Sequence, residues 1–266
     1  MAIYYIYHPE GFNPGTACRP GLKEVHHLLR VLRATARDRF FVFDGTGTVG
    51  RCSLQCAEPN HCALAVEEVV NFPPPRPLAL LQGVVKNAAM DQIIHQAAEL
   101  GVTQIFPIVG ANGVVSTDGA HMAKRLERWR QIAIEACKQS KNPFLPQILP
   151  PRPLGAALET LSREMFKIVA ALGENCQPWA KCVSRVSSAE SIAVAIGPEG
   201  DFSGDEYATL VAADFFPLTL GQRVLTTQTA AVALLGTIQQ TYCLEKSPAH
   251  LVGMAGFEPA ASTSRT

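Results

Sequence analysis

The 266-residue sequence lacks any apolar run close to the roughly 20 residues that a membrane-spanning helix needs. Its first residues also lack the basic segment and apolar stretch of a secretory signal peptide, so we expect a cytoplasmic protein without a membrane partner. A net charge is absent as well, because 23 lysines and arginines balance 23 aspartates and glutamates. Composition therefore gives no overall electrostatic signature of a nucleic-acid partner.

The eight cysteines lack the paired CxxC spacing of a structural metal site. Cys52, Cys56 and Cys62 together with His61 would supply four zinc ligands. However, Cys52 and Cys56 fall on one face of a predicted strand and are better explained as small buried residues. A chain of this kind is also expected to keep its thiols reduced. We therefore predict neither a metal site nor disulfides.

Proline marks the clearest boundary in the chain. Phe72 is followed by Pro73-Pro74-Pro75-Arg76-Pro77, where successive prolines remove backbone donors and stiffen an extended connector. Upstream, one short helix is predicted over about 22–32. Short apolar segments separated by Gly, Asn and Pro are typical of a small β-barrel or β-sandwich, and they lie at 40–43, 49–56 and 63–70. We therefore predict a first domain over residues 1–72.

After the connector, helical periodicity alternates with apolar strands. Helical spacing over 90–97 stops at Gly101, a C-terminal cap, and a second amphipathic helix carries apolar residues from Met122 to Cys137. The predicted strands are 104–109, 166–172, 191–196 and 216–220. This alternation predicts an α/β domain with a mainly parallel sheet over residues 78–243. The tail, residues 244–266, has little periodicity and is expected to be disordered.

Two glycine-bearing loops follow predicted strands in this α/β domain. Ile196-Gly197-Pro198-Glu199-Gly200 precedes a helix that begins with a capping box, Ser203 and Glu206, and Leu220-Gly221 precedes the last helix, from Thr227. Ligands of open α/β sheets bind at the carboxyl ends of strands, where glycine lets the backbone approach closely. Each loop alone is also compatible with an ordinary strand-to-helix turn. Together they predict one ligand pocket.

A third glycine-rich segment, Gly45 to Gly50, matches the letters of the dinucleotide-binding fingerprint but has the wrong context. The fingerprint requires a helix after its glycines, whereas Arg51 to Cys56 alternates like a strand. We therefore predict a hairpin turn at Asp44 to Gly47, in which glycine accommodates positive φ.

Two basic stripes interrupt the overall neutrality. One lies between Arg19 and Arg39 and includes His26 and His27, and the other runs from 124 to 141. Each stripe is compatible with a solvated helix face or with an RNA-contacting surface. Adjacent histidines on a short helix point in different directions, so a surface or RNA-contacting role fits them better than acid–base chemistry.

The two pocket loops, in this order, resemble the signature of the RsmE family, the 16S ribosomal RNA uridine N3-methyltransferases of the SPOUT superfamily. Segments similar to other parts of the family lie at 26–33, 43–47, 86–102 and 128–140. The resemblance implies a PUA-like β-barrel that contacts RNA, followed by a SPOUT-type α/β methyltransferase domain with a trefoil knot. It also implies homodimers that act on 16S ribosomal RNA or the small ribosomal subunit.

The resemblance also implies that three knot loops bind S-adenosylmethionine. The implied cofactor-binding residues are Leu172, Gly173, Ile196, Gly197, Pro198, Glu199, Gly200, Leu220, Gly221, Val224, Leu225, Thr226, Thr229 and Ala230. Methyl transfer requires alignment of donor and acceptor and control of charge on the acceptor. Arg223 is the first candidate for stabilising the uridine anion, and Glu199 would fix the loop or contact the substrate. The RNA-binding candidates are Arg30, Arg33, Lys86, Lys138 and Asn142.

Three positions depart from the family pattern. Thr226 and Gln228 replace an arginine and a glutamate, and Asn142 stands near a common arginine. Each change removes a charge that could orient RNA or assist deprotonation. Two alternatives to N3-methylation of a 16S uridine therefore stay open. One is a catalytically weakened or inactive RNA-binding or ribosome-assembly protein on the same fold, and the other is a SPOUT methyltransferase with another RNA target.

Overall fold

The computed structural model describes residues 2–58, 61–110, 119–173 and 175–245. The chain forms two compact units, the first containing Met1–Pro74 and Cys137–Leu145 and the second Pro75–Ala136 and Pro146–Ser247. Residues 137–145 thus pack with the first unit, although they lie inside the sequence range predicted for the second domain. The predicted disordered tail lies outside the described residues except for its first two, 244 and 245, which extend the last helix.

The first unit is built on one five-stranded sheet. Its strands are β1 (Ile3–Tyr7), β2 (Ala17–Cys18), β3 (Arg39–Phe43), β4 (Thr48–Glu58) and β5 (His61–Asn71). They are ordered β1-β3-β4-β5-β2, with β1 parallel to β3 and the other neighbouring pairs antiparallel. A single sheet favours the predicted barrel over the two-sheet sandwich. The predicted helix is confirmed as α1 (Leu22–His26), which continues into a π-helical turn over His27–Val31.

Local sequence explains the hairpin between β3 and β4. The Asp44 carboxylate accepts hydrogen bonds from the backbone N–H groups of Thr46 (2.7 Å) and Thr48 (3.1 Å). Gly45 and Gly47 have φ values of 85° and 107°, which the missing Cβ permits. The predicted hairpin turn is confirmed, and a strand rather than a helix follows it.

The second unit contains a seven-stranded parallel sheet. Its strands are β6 (Leu78–Gly83), β7 (Gln104–Val109), β8 (Gln147–Ile148), β9 (Arg152–Pro153), β10 (Phe166–Ala170), β11 (Ile192–Ile196) and β12 (Phe216–Leu218). The order is β12-β10-β11-β6-β7-β8, with β9 also pairing with β7. All of these pairs are parallel, as predicted.

In the described part of the chain, six α-helices connect or cover these strands. They are α2 (Asn87–Glu99), α3 (Gly119–Ser140), α4 (Leu154–Leu158), α5 (Val183–Ser188), α6 (Gly204–Ala212) and α7 (Thr227–Glu245). The strands β6 and β11 are buried at every residue, as expected for central parallel strands with both faces covered. Among the described residues, none of the helices combines the length and apolar character needed to span a bilayer.

The start of α6 confirms the predicted capping box. The Ser203 hydroxyl accepts a hydrogen bond from the Glu206 backbone N–H (3.2 Å), and the Glu206 carboxylate accepts one from the Ser203 N–H (2.9 Å). These two bonds satisfy amides that the first turn of a helix leaves unpaired. The capping box thereby fixes where the loop after β11 ends and α6 begins.

Candidate active site

Three loops meet at the carboxyl edge of the parallel sheet. They follow β10, β11 and β12, which are consecutive in the sheet, and together they enclose a cleft of about 610 Å³. Its lining residues are 170–172, 196–201, 220, 221, 223–228 and 230. This volume lies within the range of about 300–1,000 Å³ that is typical of small-molecule sites.

The cleft brings most of the predicted site residues together. All of the predicted cofactor-binding residues except Gly173 and Thr229 line it, as do Arg223 and Glu199. Gly173 lies in the first loop with φ of 149°. The Thr229 hydroxyl lies 3.0 Å from the Thr226 hydroxyl, which does line the cleft. Gly173 is therefore adjacent in the chain to a residue that lines the cleft, and Thr229 contacts another such residue through its hydroxyl.

The loop after β11 is closely packed against the neighbouring strand. A Cβ at Gly83, the last residue of β6, would lie 2.5 Å from the Pro198 Cδ and 2.9 Å from the Gly197 carbonyl carbon. A Cβ at Gly197 would lie 2.9 Å from the Asp201 Cα. Both positions require glycine because backbone occupies the space that a side chain would fill.

Asp201 closes this loop and was not among the predicted site residues. Its φ is 62°, a left-handed conformation that aspartate adopts more readily than most residues with a side chain. The Asp201 carboxylate accepts a hydrogen bond from the Phe202 N–H (2.8 Å), and the residue lines the cleft. One indirect signal in the sequence places Asp201 in the loop: the helix cap at Ser203 comes two residues later, so the loop must end there.

A buried hydrogen-bond chain joins the loop to β6 and α7. Gln82 is fully buried, and its Nε2 donates to the Gly83 carbonyl (3.0 Å) and to the Thr227 hydroxyl (2.9 Å). The Thr227 hydroxyl in turn donates to the Gly197 carbonyl (2.7 Å). No sequence motif indicated Gln82, and Thr227 was expected only as the start of the last helix. The sequence does not show their contact because 145 positions separate them.

The loop after β12 leads directly into α7. The Thr226 hydroxyl accepts a hydrogen bond from the Thr229 backbone N–H (3.4 Å), so Thr226 caps the first turn of that helix. Gln228 also lines the cleft. The two positions where the chain departs from the family pattern in this loop are thus both at the site.

Three ionisable side chains among the described residues line the cleft: Glu199, Asp201 and Arg223. All three are exposed, so they can meet a ligand without leaving a buried environment. Next to Asp201, burial together with Cys176 and Asp201 raises the pKa of Tyr207 to about 12.

Some of the predicted RNA-binding residues are exposed, and others form contacts within the protein. Arg30 and Arg33 are exposed in the first unit, and Lys86 is exposed at the start of α2 in the second. Lys138 forms an ion pair with Glu24 (Nζ to Oε2, 2.9 Å), and only 12% of its side chain is exposed. Lys138 therefore contributes to the packing of the first unit.

Asn142 likewise has a structural role in the first unit. Its side-chain oxygen accepts a hydrogen bond from the Phe144 N–H (3.0 Å), which is a local turn contact typical of asparagine. Backbone bonds from Gly47 to Pro143 and from Leu145 to Gly45 then join this turn to the β3–β4 hairpin. Asn142 thus helps to hold the segment after α3 on the sheet.

The cysteines proposed as alternative zinc ligands lie within the first unit. Cys52 and Cys62 belong to its apolar core, and burial raises the pKa of the Cys52 thiol to about 12. Within the described ranges, no group of three or more His, Cys, Asp or Glu residues is arranged to hold a metal ion. The buried thiols are therefore accounted for by packing.

Comparison with known proteins identifies the family. Residues 73–239 match the RNA methyltransferase domain, and residues 20–67 match the RNA methyltransferase PUA domain. The ribosomal RNA small subunit methyltransferase E of Aquifex aeolicus is 30% identical over 217 residues, which cover 81% of this chain and 90% of that protein. The Bacillus subtilis protein of the same name is 28% identical over 223 residues, with 81% and 87% covered.

A solved structure gives the same result. The ribosomal RNA small subunit methyltransferase E of Neisseria gonorrhoeae, bound to S-adenosylmethionine, aligns with a TM-score of 0.80 and 28% identity over 90% of this chain and 98% of that one. The predicted fold class, a SPOUT-type α/β methyltransferase domain with an N-terminal PUA domain, is confirmed. The chain belongs to the RNA methyltransferase family and, within it, to the ribosomal RNA small subunit methyltransferases E.

Proposed function

We propose that this chain transfers a methyl group from S-adenosylmethionine to N3 of a uridine in 16S ribosomal RNA. The cleft formed by the loops after β10, β11 and β12 is the observation that carries the proposal. The chain belongs to an rRNA methyltransferase family, and its Neisseria gonorrhoeae relative is bound to S-adenosylmethionine. The target atom and base follow from the resemblance to the RsmE family.

The residues of the cleft fit S-adenosylmethionine. Such a ligand needs apolar surface for its adenine ring and for the methylene groups of its methionine portion, and backbone groups for its polar edges. Leu172 and Val224 supply apolar surface at the cleft and are 57% and 77% exposed, an unusual exposure for large apolar side chains that a ligand or a partner would cover. The glycines of the three loops leave backbone N–H and C=O groups accessible beside them.

S-adenosylmethionine supplies a methyl group on a positively charged sulfur. The chain must then align the uracil ring and stabilise the negative charge that develops when N3 loses its proton. Arg223 is suited to that charge because its guanidinium is positively charged and presents several N–H donors. The carboxylates of Glu199 and Asp201 are groups of the cleft that are able to accept the proton.

The wider assembly is part of the proposal. The RNA would lie on the exposed cations of the PUA unit, among them Arg30 and Arg33, and Lys86 would add a contact from the second unit. Family resemblance implies a homodimer, in which a second copy would cover exposed apolar side chains near the cleft. With a small-subunit RNA substrate, the enzyme would act in the cytoplasm.

Two experiments test the proposed function. Isothermal titration calorimetry should detect binding of S-adenosylmethionine, and absence of binding at near-millimolar ligand would refute the cofactor assignment. Deletion of the gene should remove one N3-methyluridine from the small-subunit RNA, as mapped by primer extension, and the wild-type gene should restore it. Cofactor binding without any change in RNA methylation would instead support the RNA-binding or assembly alternative. Multi-angle light scattering of the purified chain tests the dimer.

A further inference from the structure

In the buried chain of hydrogen bonds from Gln82 to Thr227 to Gly197, the chemistry of the groups determines which of them donates and which accepts each bond. The Gly197 and Gly83 carbonyls only accept hydrogen bonds, so Thr227 must donate to Gly197 and Gln82 must donate to Gly83. The single hydroxyl proton of Thr227 is then used, and the hydroxyl must accept from the second proton of the Gln82 amide. Both donors of the amide are satisfied, while its Oε1 is buried and has no hydrogen-bond partner among the described residues.

An unpaired buried oxygen is unfavourable. The chain of bonds that leaves this oxygen unpaired joins three separate elements of the second unit. Gln82 lies on β6, Gly197 begins the loop after β11, and Thr227 is the first residue of α7, after the loop that follows β12. Two of the three loops that enclose the cleft are therefore tied to each other through one buried hydroxyl.

We propose that Gln82 and Thr227 are positioning residues that set the separation of the loops after β11 and β12. Gln82 lies outside the cleft lining, and its amide orients the Thr227 hydroxyl, which holds the Gly197 carbonyl. Close packing of Gly83 against Pro198 limits movement of the same loop from the β6 side. This inference rests on the proposed function, because its consequence is the affinity of the cleft for S-adenosylmethionine.

Thr227→Val tests the proposal, since valine keeps the shape of threonine and removes the hydroxyl. The dissociation constant for S-adenosylmethionine should rise by about tenfold, the effect of one lost buried hydrogen bond. Thr227→Ser keeps the hydroxyl and should bind within about twofold of the wild type. Thr241→Val is the matched control. Thr241 is a buried threonine on the same helix whose hydroxyl bonds only locally, to the Thr237 carbonyl at 2.9 Å, and its substitution should leave the affinity unchanged.

Gln82→Leu gives a second route that leaves Thr227 in place. It should also weaken binding, and the double variant Gln82→Leu with Thr227→Val should be weaker than wild type by much less than the product of the two single effects, because both act through one chain of bonds. Multiplicative effects would overturn the proposal.

The remaining outcomes separate this proposal from the proposed function. If the wild type binds S-adenosylmethionine and Thr227→Val binds equally well, the positioning role is refuted. An equal loss of affinity in Thr241→Val would also refute it, because it would show a general effect of polar substitutions in α7. If the wild type itself does not bind, the proposed function fails first. If Thr227→Val does not fold, the comparison of Gln82→Leu with Thr227→Ser and the wild type decides the question.

Discussion

Gly83→Ala should destabilise the second unit and at the same time lower the affinity of its cleft for S-adenosylmethionine. The new methyl group would lie 2.5 Å from the Pro198 Cδ and 2.9 Å from the Gly197 carbonyl carbon. A rotamer change cannot relieve contacts with backbone and with a proline ring, so β6 or the loop after β11 must shift. Overpacking of this kind costs about 1–3 kcal/mol. The shift would also displace the loop from its position in the cleft.

Gly236→Ala adds the same methyl group to the same unit with the opposite expected sign. Gly236 lies inside α7, and apart from the backbone of that helix a Cβ there would meet no heavy atom of the described residues within 4 Å. Alanine is a better residue than glycine in a helix interior by about 0.5–1 kcal/mol. This variant should therefore stabilise the unit, and it serves as the control for the addition of a methyl group as such.

Differential scanning calorimetry and titration calorimetry together measure both effects. For a chain of this size, 1 kcal/mol shifts the melting temperature by about 2–4 °C, so Gly83→Ala should melt about 2–12 °C lower than the wild type and Gly236→Ala about 1–4 °C higher. Affinity for S-adenosylmethionine should fall in Gly83→Ala and stay unchanged in Gly236→Ala. Unaltered melting and affinity in Gly83→Ala would refute the reasoning, because they would show that the loop moves freely.

Four other variants test three separate parts of the structure. Glu24→Gln should lower the unfolding free energy, measured with urea, by about 1–2 kcal/mol because its pair with Lys138 is largely buried, whereas Glu67→Gln, in an exposed pair, should cost less than about 1 kcal/mol. Burial raises the pKa of the Cys137 thiol from 9.0 to about 12, so its stabilising contribution is complete below about pH 9 and is lost as the pH rises towards 12. The urea midpoint should fall over that interval, less steeply in Cys137→Ala. Arg223→Ala should lower kcat by about 100-fold with little change in cofactor affinity, and an unchanged rate in single-turnover assays would remove Arg223 from catalysis.

The elements that the sequence predicted best have local causes. The strand over Gln104–Val109 has the predicted bounds, and the Ser203 capping box forms as expected, because short-range patterns and side chains determine both. The strand β6 was not predicted. Its residues form an apolar run directly after the prolines, a pattern that suits a buried helix segment as well as a strand. Only its pairing with β7 and β11 makes it a strand.

The candidate site was predictable where it depends on loops at strand ends and unpredictable where it depends on distant pairs. The Gly197 and Gly221 loops carry their own glycine signal. Lys138, by contrast, was predicted to bind RNA from its place in a basic stripe. Such a stripe does not show whether a cation faces solvent or an acidic partner. That partner, Glu24, lies 114 positions away in the sequence, and only the folded first unit brings it within 2.9 Å.

Thr226 and Gln228, which by the resemblance stand where the family has charged residues, would affect the two steps of the proposed reaction differently. Thr226 caps α7 through the Thr229 amide, so a neutral hydroxyl stabilises the start of that helix without the arginine. The cleft wall therefore keeps its shape, since backbone, apolar side chains and the Gln82–Thr227 chain of hydrogen bonds build it. The charge on a uridine acceptor has no such substitute among the neutral residues of the loop. In the proposed reaction, stabilisation of that charge would therefore depend mainly on Arg223.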